Sequence, residues 1–469
     1  MSTFDFEFGD SDEPSGRHRL DDLIASYEAQ EGHGYFDSDT LEEIATFYFE
    51  AGRFRDALGV IDQLISLQPL SSDAWTRRGI LLNNMGQHEQ ALEAYTKALS
   101  INPADSETLI NQGITLDILG RGDDALTAYE SALEFDPLND EAFFNQGITL
   151  ERLNYLEEAI AAFERCAAIN EEHGEVWYEL GFCYDRLGRN EESLACYDRH
   201  LDEVPFSHDA WYNRGIVLNR MEAYREAVDS YDMALAIRDD FASAYYNRGN
   251  AMANLGNLPG AIESYLTVIE LEGGDPATFY NLALAYEESK DYAQAIGYFQ
   301  QALGLEESYA EAWYGLGCCH DALGQFDDAL ESFDRAIALS PETIEFLYAK
   351  ADSQYNAGRL LDSLRSYQQV VQADPSNREA WLDYAETLYE ANMHENALDA
   401  YHRALMLKPD AGAYFKQAKA LFALGRSEES FKALQMAFDL DPHKKEEFRH
   451  TYPDLYHDAS IRRRLGLDR

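Results

Sequence analysis

A 34-residue spacing is the feature that most constrains how this chain can fold. Within residues 310–343 the spacing is marked by Trp313, Leu316, Gly317, Ala329, Phe333, Ala336 and Pro341. Equivalent residues return every 34 residues from about residue 38 to residue 411, and then once more one residue early. A fixed period of this size is typical of solenoids, in which each repeat packs only on its neighbours. The period therefore predicts one array, in place of the roughly three domains expected from length alone.

The order of the marker residues, aromatic-x-x-Leu-Gly, then Ala-x-x-x-aromatic, then Pro, resembles the tetratricopeptide repeat. Twelve such repeats start near Ser38, Ser72, Ser106, Asp140, Gly174, His208, Ala242, Pro276, Ala310, Ile344, Arg378 and Ala411. Glycine at position 15 and proline at position 32 of most repeats indicate the ends of a first and a second helix. The resemblance implies an all-α, right-handed superhelical α-solenoid of tandem helix-turn-helix repeats that binds other proteins.

The termini lie outside this array and predict four segments. Residues 1–16 are expected to be an acidic disordered tail and residues 17–37 a capping helix, because terminal repeats must shield an apolar face. The repeats occupy residues 38–444, and residues 445–469 are expected to hold a second capping helix and a basic tail with Arg462, Arg463 and Arg464.

Small residues recur where two helices of one repeat should meet. Position 8 is Gly79, Gly113, Gly147, Gly181, Gly215, Gly249, Ala283, Gly317, Ala351 and Ala385 in successive repeats from the second. Position 20 is alanine or serine throughout. Because glycine within a helix costs about 0.5–1 kcal/mol relative to alanine, its recurrence at one position predicts close helix packing.

The net charge is −49, from 86 acidic and 37 basic residues. This charge disfavours nucleic acid and anionic membranes as partners. Two interpretations remain: a surface that binds cationic partners, and an acidic surface that keeps the chain soluble. Five cysteines at helix positions indicate reduced thiols, and neither a signal peptide nor a run of 18 apolar residues is present. The sequence therefore predicts a cytoplasmic protein.

Catalytic motifs are missing from the sequence. It contains no phosphate-binding glycine loop, His-Glu-x-x-His, Gly-x-Ser-x-Gly or Cys-x-x-Cys. Cys318, Cys319 and His320 are consecutive, so on a helix they point about 100° apart and cannot converge on a metal. The prediction is a protein that is not an enzyme and that has no cofactor and no metal site.

The candidate site is a stripe on the first helix of each repeat. In tetratricopeptide proteins positions 2, 5, 9 and 12 line the inner groove, and the resemblance implies the same here. Position 5 is aromatic in seven successive repeats: Phe144, Tyr178, Tyr212, Tyr246, Tyr280, Tyr314 and Tyr348. Position 6 carries Asn111, Asn145, Asn213, Asn247 and Asn281, with Glu179 interrupting the series. This run is similar to the asparagine ladder in the repeat domain of O-linked N-acetylglucosamine transferase. Position 2 is acidic in nine of the twelve repeats.

These residue types suit the binding of an extended segment. Tyrosine offers a large contact area at low entropic cost, asparagine can bond to peptide main chain, and arginine or lysine can stack on tyrosine for roughly 0.5–2 kcal/mol. The chaperone-binding subtype is not expected, since positions 2 and 5 carry no lysine or arginine. The tyrosines have a second interpretation, which is packing between adjacent repeats.

The predicted function is a noncatalytic scaffold or adaptor that binds basic segments of other proteins in an acidic, Tyr/Asn-lined groove. Two alternatives stay open. One is a regulatory subunit of a separately encoded enzyme. The other is a homo-oligomer in which Arg462–Arg464 of one copy enters the groove of another.

Overall fold

The computed structural model describes residues 14–29 and 34–467, and all regular secondary structure in them is α-helical. Twelve helical hairpins follow one another along the chain, from α2 to α25. The predicted fold class, an α-solenoid of tandem helix pairs, is confirmed. No helix within the described residues is both long and apolar enough to cross a membrane. Most of the expected acidic tail, residues 1–13, lies outside the described residues.

The chain divides into two units, of which unit 1 ends at Asp239. It holds α1 and six hairpins. The helices of unit 1 are α1 (Pro14–Ala29), α2 (Ser38–Glu50), α3 (Phe54–Leu67), α4 (Ser72–Asn84), α5 (His88–Ile101), α6 (Ser106–Ile118), α7 (Gly122–Phe135), α8 (Asp140–Arg152), α9 (Leu156–Ile169), α10 (Val176–Arg186), α11 (Asn190–Glu203), α12 (His208–Arg220) and α13 (Tyr224–Ile237).

Unit 2 begins at Asp240 and holds six further hairpins and three short helices. Its helices are α14 (Ala242–Asn254), α15 (Leu258–Glu272), α16 (Pro276–Glu288), α17 (Tyr292–Leu305), α18 (Ala310–Ala322), α19 (Phe326–Leu339), α20 (Ile344–Asn356), α21 (Leu360–Ala373), α22 (Arg378–Glu390), α23 (His394–Leu407), α24 (Ala411–Ala423), α25 (Ser427–Leu440), α26 (Lys444–Thr451), α27 (Pro453–His457) and α28 (Ala459–Leu465).

Side chains cap most of the first helices. In eight of the twelve hairpins the residue before the first helix accepts a hydrogen bond from a backbone N–H three residues on. These residues are Asp37, Ser71, Asp105, Asn139, Ser207, Asp275, Asn377 and Asp410. Each such cap stabilises a helix by about 1 kcal/mol. The turn after the first helix needs a left-handed residue, usually glycine such as Gly52 (φ 69°), and in repeat 4 Asn154 (φ 65°).

The two helices of a hairpin approach to a separation that only a very small residue at position 8 allows. A Cβ atom added to Gly79, Gly113 or Gly147 would lie 2.3–2.5 Å from a ring carbon of the aromatic residue at position 24. The prediction of close packing is confirmed. Serine replaces alanine at position 20 in three repeats, where its hydroxyl bonds to the carbonyl of position 8, as in Ser193 to Gly181 (2.7 Å).

The amino-terminal helix α1 covers the first hairpin and begins earlier than expected. It spans Pro14–Ala29, whereas the sequence predicted a capping helix over residues 17–37. Ile24 is 7% exposed and packs in the core of the first hairpin, and Tyr48 donates a hydrogen bond to Glu28 (3.1 Å). Residues 30–33 lie outside the described residues.

The carboxy-terminal segment differs from the expected single helix and tail because Pro453 starts a new helix and Asp458 caps another. Phe448 and Leu465 are buried on the last hairpin. Arg464 forms a two-pronged ion pair with Glu428 of α25, and its guanidinium lies 5.1 Å from the ring of Phe431. Part of the basic tail is thus engaged by its own chain.

Candidate functional site

The first helices of neighbouring hairpins touch each other within each unit. Direct contacts join α4, α6, α8, α10 and α12 in sequence, then α14, α16, α18 and α20, and also α22 with α24. Among the described residues no pair of second helices makes contacts of this extent. In each unit the first helices of successive hairpins therefore lie closer together than the second helices do. We call the surface formed there by positions 2, 5, 6, 9, 12 and 13 the inner face.

The position-5 tyrosines contribute both to the core and to the inner face. All six are half-buried, while Phe144 is only 8% exposed. Each tyrosine ring packs against the position-24 ring of its own hairpin, with centroids 5.9–6.0 Å apart, as in Tyr178 with Tyr197 and Tyr314 with Phe333. One edge of each ring is therefore fixed by the hairpin, and the remainder borders the inner face. The rings are held at set positions along that face.

Hydrogen bonds connect several of these hydroxyl groups to the next repeat. Asn213 donates to the Tyr178 hydroxyl (3.0 Å) and Asn281 to the Tyr246 hydroxyl (2.8 Å). Tyr348 makes the equivalent bond to Asp383. The sequence places positions 5 and 6 side by side on the first helix but does not predict these bonds between repeats. The sequence feature that could have predicted them is a tyrosine at position 5 followed by an asparagine at position 6 of the next repeat, 35 residues later. One N–H of each amide thus orients a tyrosine.

The other asparagines of the series have different surroundings. Asn111 is buried at 6% exposure, and Asn145 donates to the Glu141 carbonyl one turn earlier (2.8 Å). Asn247 is half-buried in unit 2. Because the side chains are used in at least three ways, a ladder gripping peptide main chain stays a prediction.

Glu179 interrupts the asparagine series and forms a carboxyl pair with Glu151 of the preceding repeat. Burial, the negative charge of Glu151 and a hydrogen bond to Glu151 raise the pKa of Glu179 to about 8. Burial also raises the pKa of Glu151, against opposing contributions from Glu179, Arg186 and Arg152. The raised pKa keeps Glu179 largely protonated at neutral pH.

Glu179→Gln is expected to stabilise the chain increasingly as the pH rises from about 4.5 to about 8. The folded chain holds the Glu179 proton between the ordinary pKa of 4.5 and about 8, while the unfolded chain releases it. Stability present below that window is therefore lost as the pH rises through it. The amide is neutral throughout, so urea unfolding should show a gain on the order of 2 kcal/mol at about pH 9 and little at about pH 4.5.

Glu157→Gln, an exposed neutralisation on α9, is the control for this experiment. A difference in stability between Glu179→Gln and wild type that is the same at both pH values would contradict the raised pKa of Glu179.

Charge compensation differs between the inner faces of the two units. In unit 1 two of the three position-12 carboxylates pair with an arginine at position 13 of the next repeat: Arg152 with Asp117 (2.6 Å) and Arg220 with Asp185 (2.7 Å). In unit 2, position 13 of the repeat after Glu287 is Ala322, and Glu287 makes no ion pair with the described residues. Burial alone raises the pKa of Glu287.

Two further carboxylates of unit 2 border a cleft of about 310 Å³ between α20 and α22. Burial and the nearby charges of Asp383 and Asp321 raise the pKa of Asp352 to about 6, against a hydrogen bond from Tyr367. The pKa of Asp383 is also raised, mainly by burial. Tyr355 forms one wall of the cleft. The inner face of unit 2 therefore carries closely spaced negative charge that its own cations offset only in part: Lys416 bonds to Glu386, whereas Glu287 and Asp352 form no ion pair with the described residues.

Family models of the tetratricopeptide repeat match most of the chain. The matched ranges are residues 72–105, 111–172, 155–213, 220–256, 242–275, 280–342, 348–413 and 411–444. The chain belongs to the tetratricopeptide repeat family. Members of this family are in general noncatalytic scaffolds, and the repeats of this chain support a protein-interaction scaffold in general.

Solved structures similar to this tetratricopeptide protein cover parts of it. YrrB, described as a tetratricopeptide protein with an unusual peptide-binding site, is 25% identical over 42% of this chain and 99% of its own, with a TM-score of 0.38. A tetratricopeptide repeat protein from Parabacteroides merdae is 19% identical over 53% of this chain and 98% of its own (TM-score 0.38). PilF of Pseudomonas aeruginosa is 19% identical over 47% and 97% (TM-score 0.39). The comparison with curated proteins found no match.

The cysteines of this tetratricopeptide protein are free thiols within the helices. Burial, followed by the charge of Glu287, raises the pKa of Cys318 on the inner face to about 12. A thiol with so high a pKa is a poor nucleophile. Within residues 14–29 and 34–467 no group of three His, Cys, Asp or Glu side chains is arranged to hold a metal ion.

Proposed function

We propose that this tetratricopeptide protein is a noncatalytic scaffold that binds basic segments of other proteins along its inner face. The observation that carries the proposal is the uncompensated charge of unit 2. The first helices α16, α18, α20 and α22 hold ten carboxylates and two basic residues, whereas α6, α8, α10 and α12 hold eight carboxylates and four arginines. A cationic segment would supply the missing positive charge.

Both basic residues of these unit 2 helices already have acidic partners. Lys350 bonds to Asp334 of α19, and Arg378 lies 2.9 Å from Glu379 and 3.5 Å from Asp410. Neither offsets Glu287, Asp352 or the exposed Glu311. Unpaired carboxylates that lie close together repel one another in the protein without a partner. A bound cation relieves this repulsion, so its binding free energy is more favourable there than beside an isolated surface carboxylate.

The tyrosines of the inner face add contact area to this charge. Their rings are fixed by the hairpin core and, in Tyr178, Tyr246 and Tyr348, by a bond to the next repeat. A surface whose aromatic groups are ordered before binding loses little entropy when a partner lands on it. Phosphate backbones remain unsuitable partners because of the net charge.

The basic tail makes contacts within its own chain, which disfavours self-assembly through this tail. Arg464 pairs with Glu428 in its own chain, and the ring of Tyr456 lies 5.2 Å from the guanidinium of Arg462. A regulatory subunit of a separately encoded enzyme would bind its partner on the same inner face. That alternative therefore differs from the proposal in the identity of the partner and not in the binding surface.

Neutralising the rim of the inner face is expected to weaken binding of a labelled peptide of repeating Gly-Arg-Ser units. The variant combines Glu311→Gln, Glu345→Gln and Glu379→Gln, all at exposed position-2 side chains. Each exposed pair contributes about 0.5–1 kcal/mol, so the dissociation constant should rise at least about ten-fold. The measurement is fluorescence anisotropy at about 0.15 M salt, where charges more than about 8 Å away are screened.

A charge-matched control places the same three neutralisations on second helices: Glu270→Gln, Asp328→Asn and Glu331→Gln, also exposed. Equal weakening by both variants, or equal binding of a Gly-Glu-Ser peptide by the wild type, would overturn the proposal.

A further inference from the structure

Tyr309 occupies a position that a capping residue would normally fill. It precedes α18, as Asp275 precedes α16 and Asn377 precedes α22, yet it makes no capping hydrogen bond. Its ring instead packs on Tyr280 of the inner face, with centroids 4.8 Å apart and planes at 35°. A residue that breaks a local rule kept by most equivalent positions marks a place where function competes with stability.

The polar groups around this tyrosine pair lack partners. The Tyr280 hydroxyl forms no hydrogen bond with the described residues, unlike the hydroxyls of Tyr178 and Tyr246. The reason is local, because position 6 of the next repeat is Gly315, where a Cβ would lie 2.4 Å from Phe299. An asparagine that could bond Tyr280 cannot be placed there.

Two carboxylates lie close to the pair and are also unpaired within the described residues. Glu287 lies two helical turns after Tyr280 on α16, and Glu311 lies two residues after Tyr309 at the start of α18. Burial is the main cause that raises the pKa of Tyr280, followed by the charges of Glu311 and Glu287. Burial is also the main cause that raises the pKa of Tyr309, and the charge of Glu311 adds to it. Glu311 is exposed and Glu287 is half-buried.

We propose that Tyr280, Tyr309, Glu287 and Glu311 form a subsite for one arginine side chain of the bound segment, an inference that rests on the proposed function. The rings already touch, so the guanidinium stacks on an outward ring face and donates to the two carboxylates. Arginine suits this arrangement better than lysine, because its group is planar, stacks on aromatic faces and presents several donors in one plane.

The test compares Gly-Arg-Ser and Gly-Lys-Ser peptides of equal length on the full chain. The wild type is expected to bind the arginine peptide about ten-fold more tightly, a preference that net charge alone does not produce. Tyr309→Ser removes the ring and supplies a residue type that caps helices well. It should keep the melting temperature and lose the preference. Tyr155→Ser, at the N-cap of α9 and 52% exposed, is the matched control and should change neither.

The outcomes separate this subsite from the general proposal. Binding of neither peptide by the wild type would overturn the proposed function and the subsite together. Equal binding of both peptides, or an arginine preference that survives in Tyr309→Ser, would overturn the subsite alone. If Tyr309→Ser lowers the melting temperature, the double variant Glu287→Gln with Glu311→Gln tests the subsite in its place. It removes two uncompensated charges, so it should stay folded and lose the preference, and a retained preference would again overturn the subsite.

Discussion

Gly113→Leu is expected to separate α6 from α7 and to lower the free energy of unfolding by about 3 kcal/mol. A Cβ at position 113 would lie 2.4 Å from Cε1 of Tyr129, a ring that is 1% exposed. The ring is enclosed, so neither side chain can move away without opening the hairpin. The measurement is the urea midpoint of the far-ultraviolet dichroism signal.

Two comparisons within the chain make this prediction specific. Alanine occupies the same position in Ala283, Ala351 and Ala385, so Gly113→Ala should cost much less than leucine. Gly59 lies in helix α3 with nothing within 4 Å of its added Cβ, so Gly59→Leu should be tolerated. If Gly113→Leu and Gly59→Leu destabilise equally, close packing at position 8 is not what holds the hairpins together.

Phe448→Ala is expected to remove the carboxy-terminal cap and cost about 3–5 kcal/mol. The ring is fully buried and lies 5.9 Å from Phe438 and 5.8 Å from Tyr452. Without it, α26 no longer covers the apolar end of the last hairpin. Because stability in a repeat array passes between nearest neighbours, amide hydrogen exchange should quicken in α24 and α25 and stay unchanged in α4 and α5.

Phe206→Ala is the control for the cap, since Phe206 is 80% exposed in a loop of unit 1. It should leave exchange unaltered everywhere. Uniformly faster exchange along the whole chain in Phe448→Ala would show that the array unfolds as one cooperative body, which contradicts a local role for the cap.

Much of the fold follows from the repeat period because hairpin geometry is local. Position 8 glycines and position 20 alanines pack as the period predicts, since both helices of a pair lie within one repeat. The carboxy-terminal segment has no such period. Its three short helices are set by Pro453 and Asp458 and by the ion pair of Arg464 with Glu428. These two residues are 36 positions apart, and no repeat spacing predicts their contact.

The candidate site was predictable as a face and not as a set of contacts. Helical spacing places Tyr178 and Asn213 on one stripe, but only the stacking of successive repeats brings the amide to the hydroxyl. Glu179 looked like an interruption of the asparagine series, and its pairing with Glu151 depends on the same stacking. Tyr309 was outside the predicted stripe altogether, because it belongs to the loop before α18.

The most direct measurement of the central claim is the ratio of dissociation constants of the Gly-Arg-Ser peptide for the two charge-matched triple variants. Both variants change the net charge equally, so their ratio reports only where the peptide binds. Binding along the inner face predicts that the rim variant carrying Glu311→Gln binds at least about ten-fold more weakly than the second-helix variant carrying Glu331→Gln. A ratio near one would contradict it.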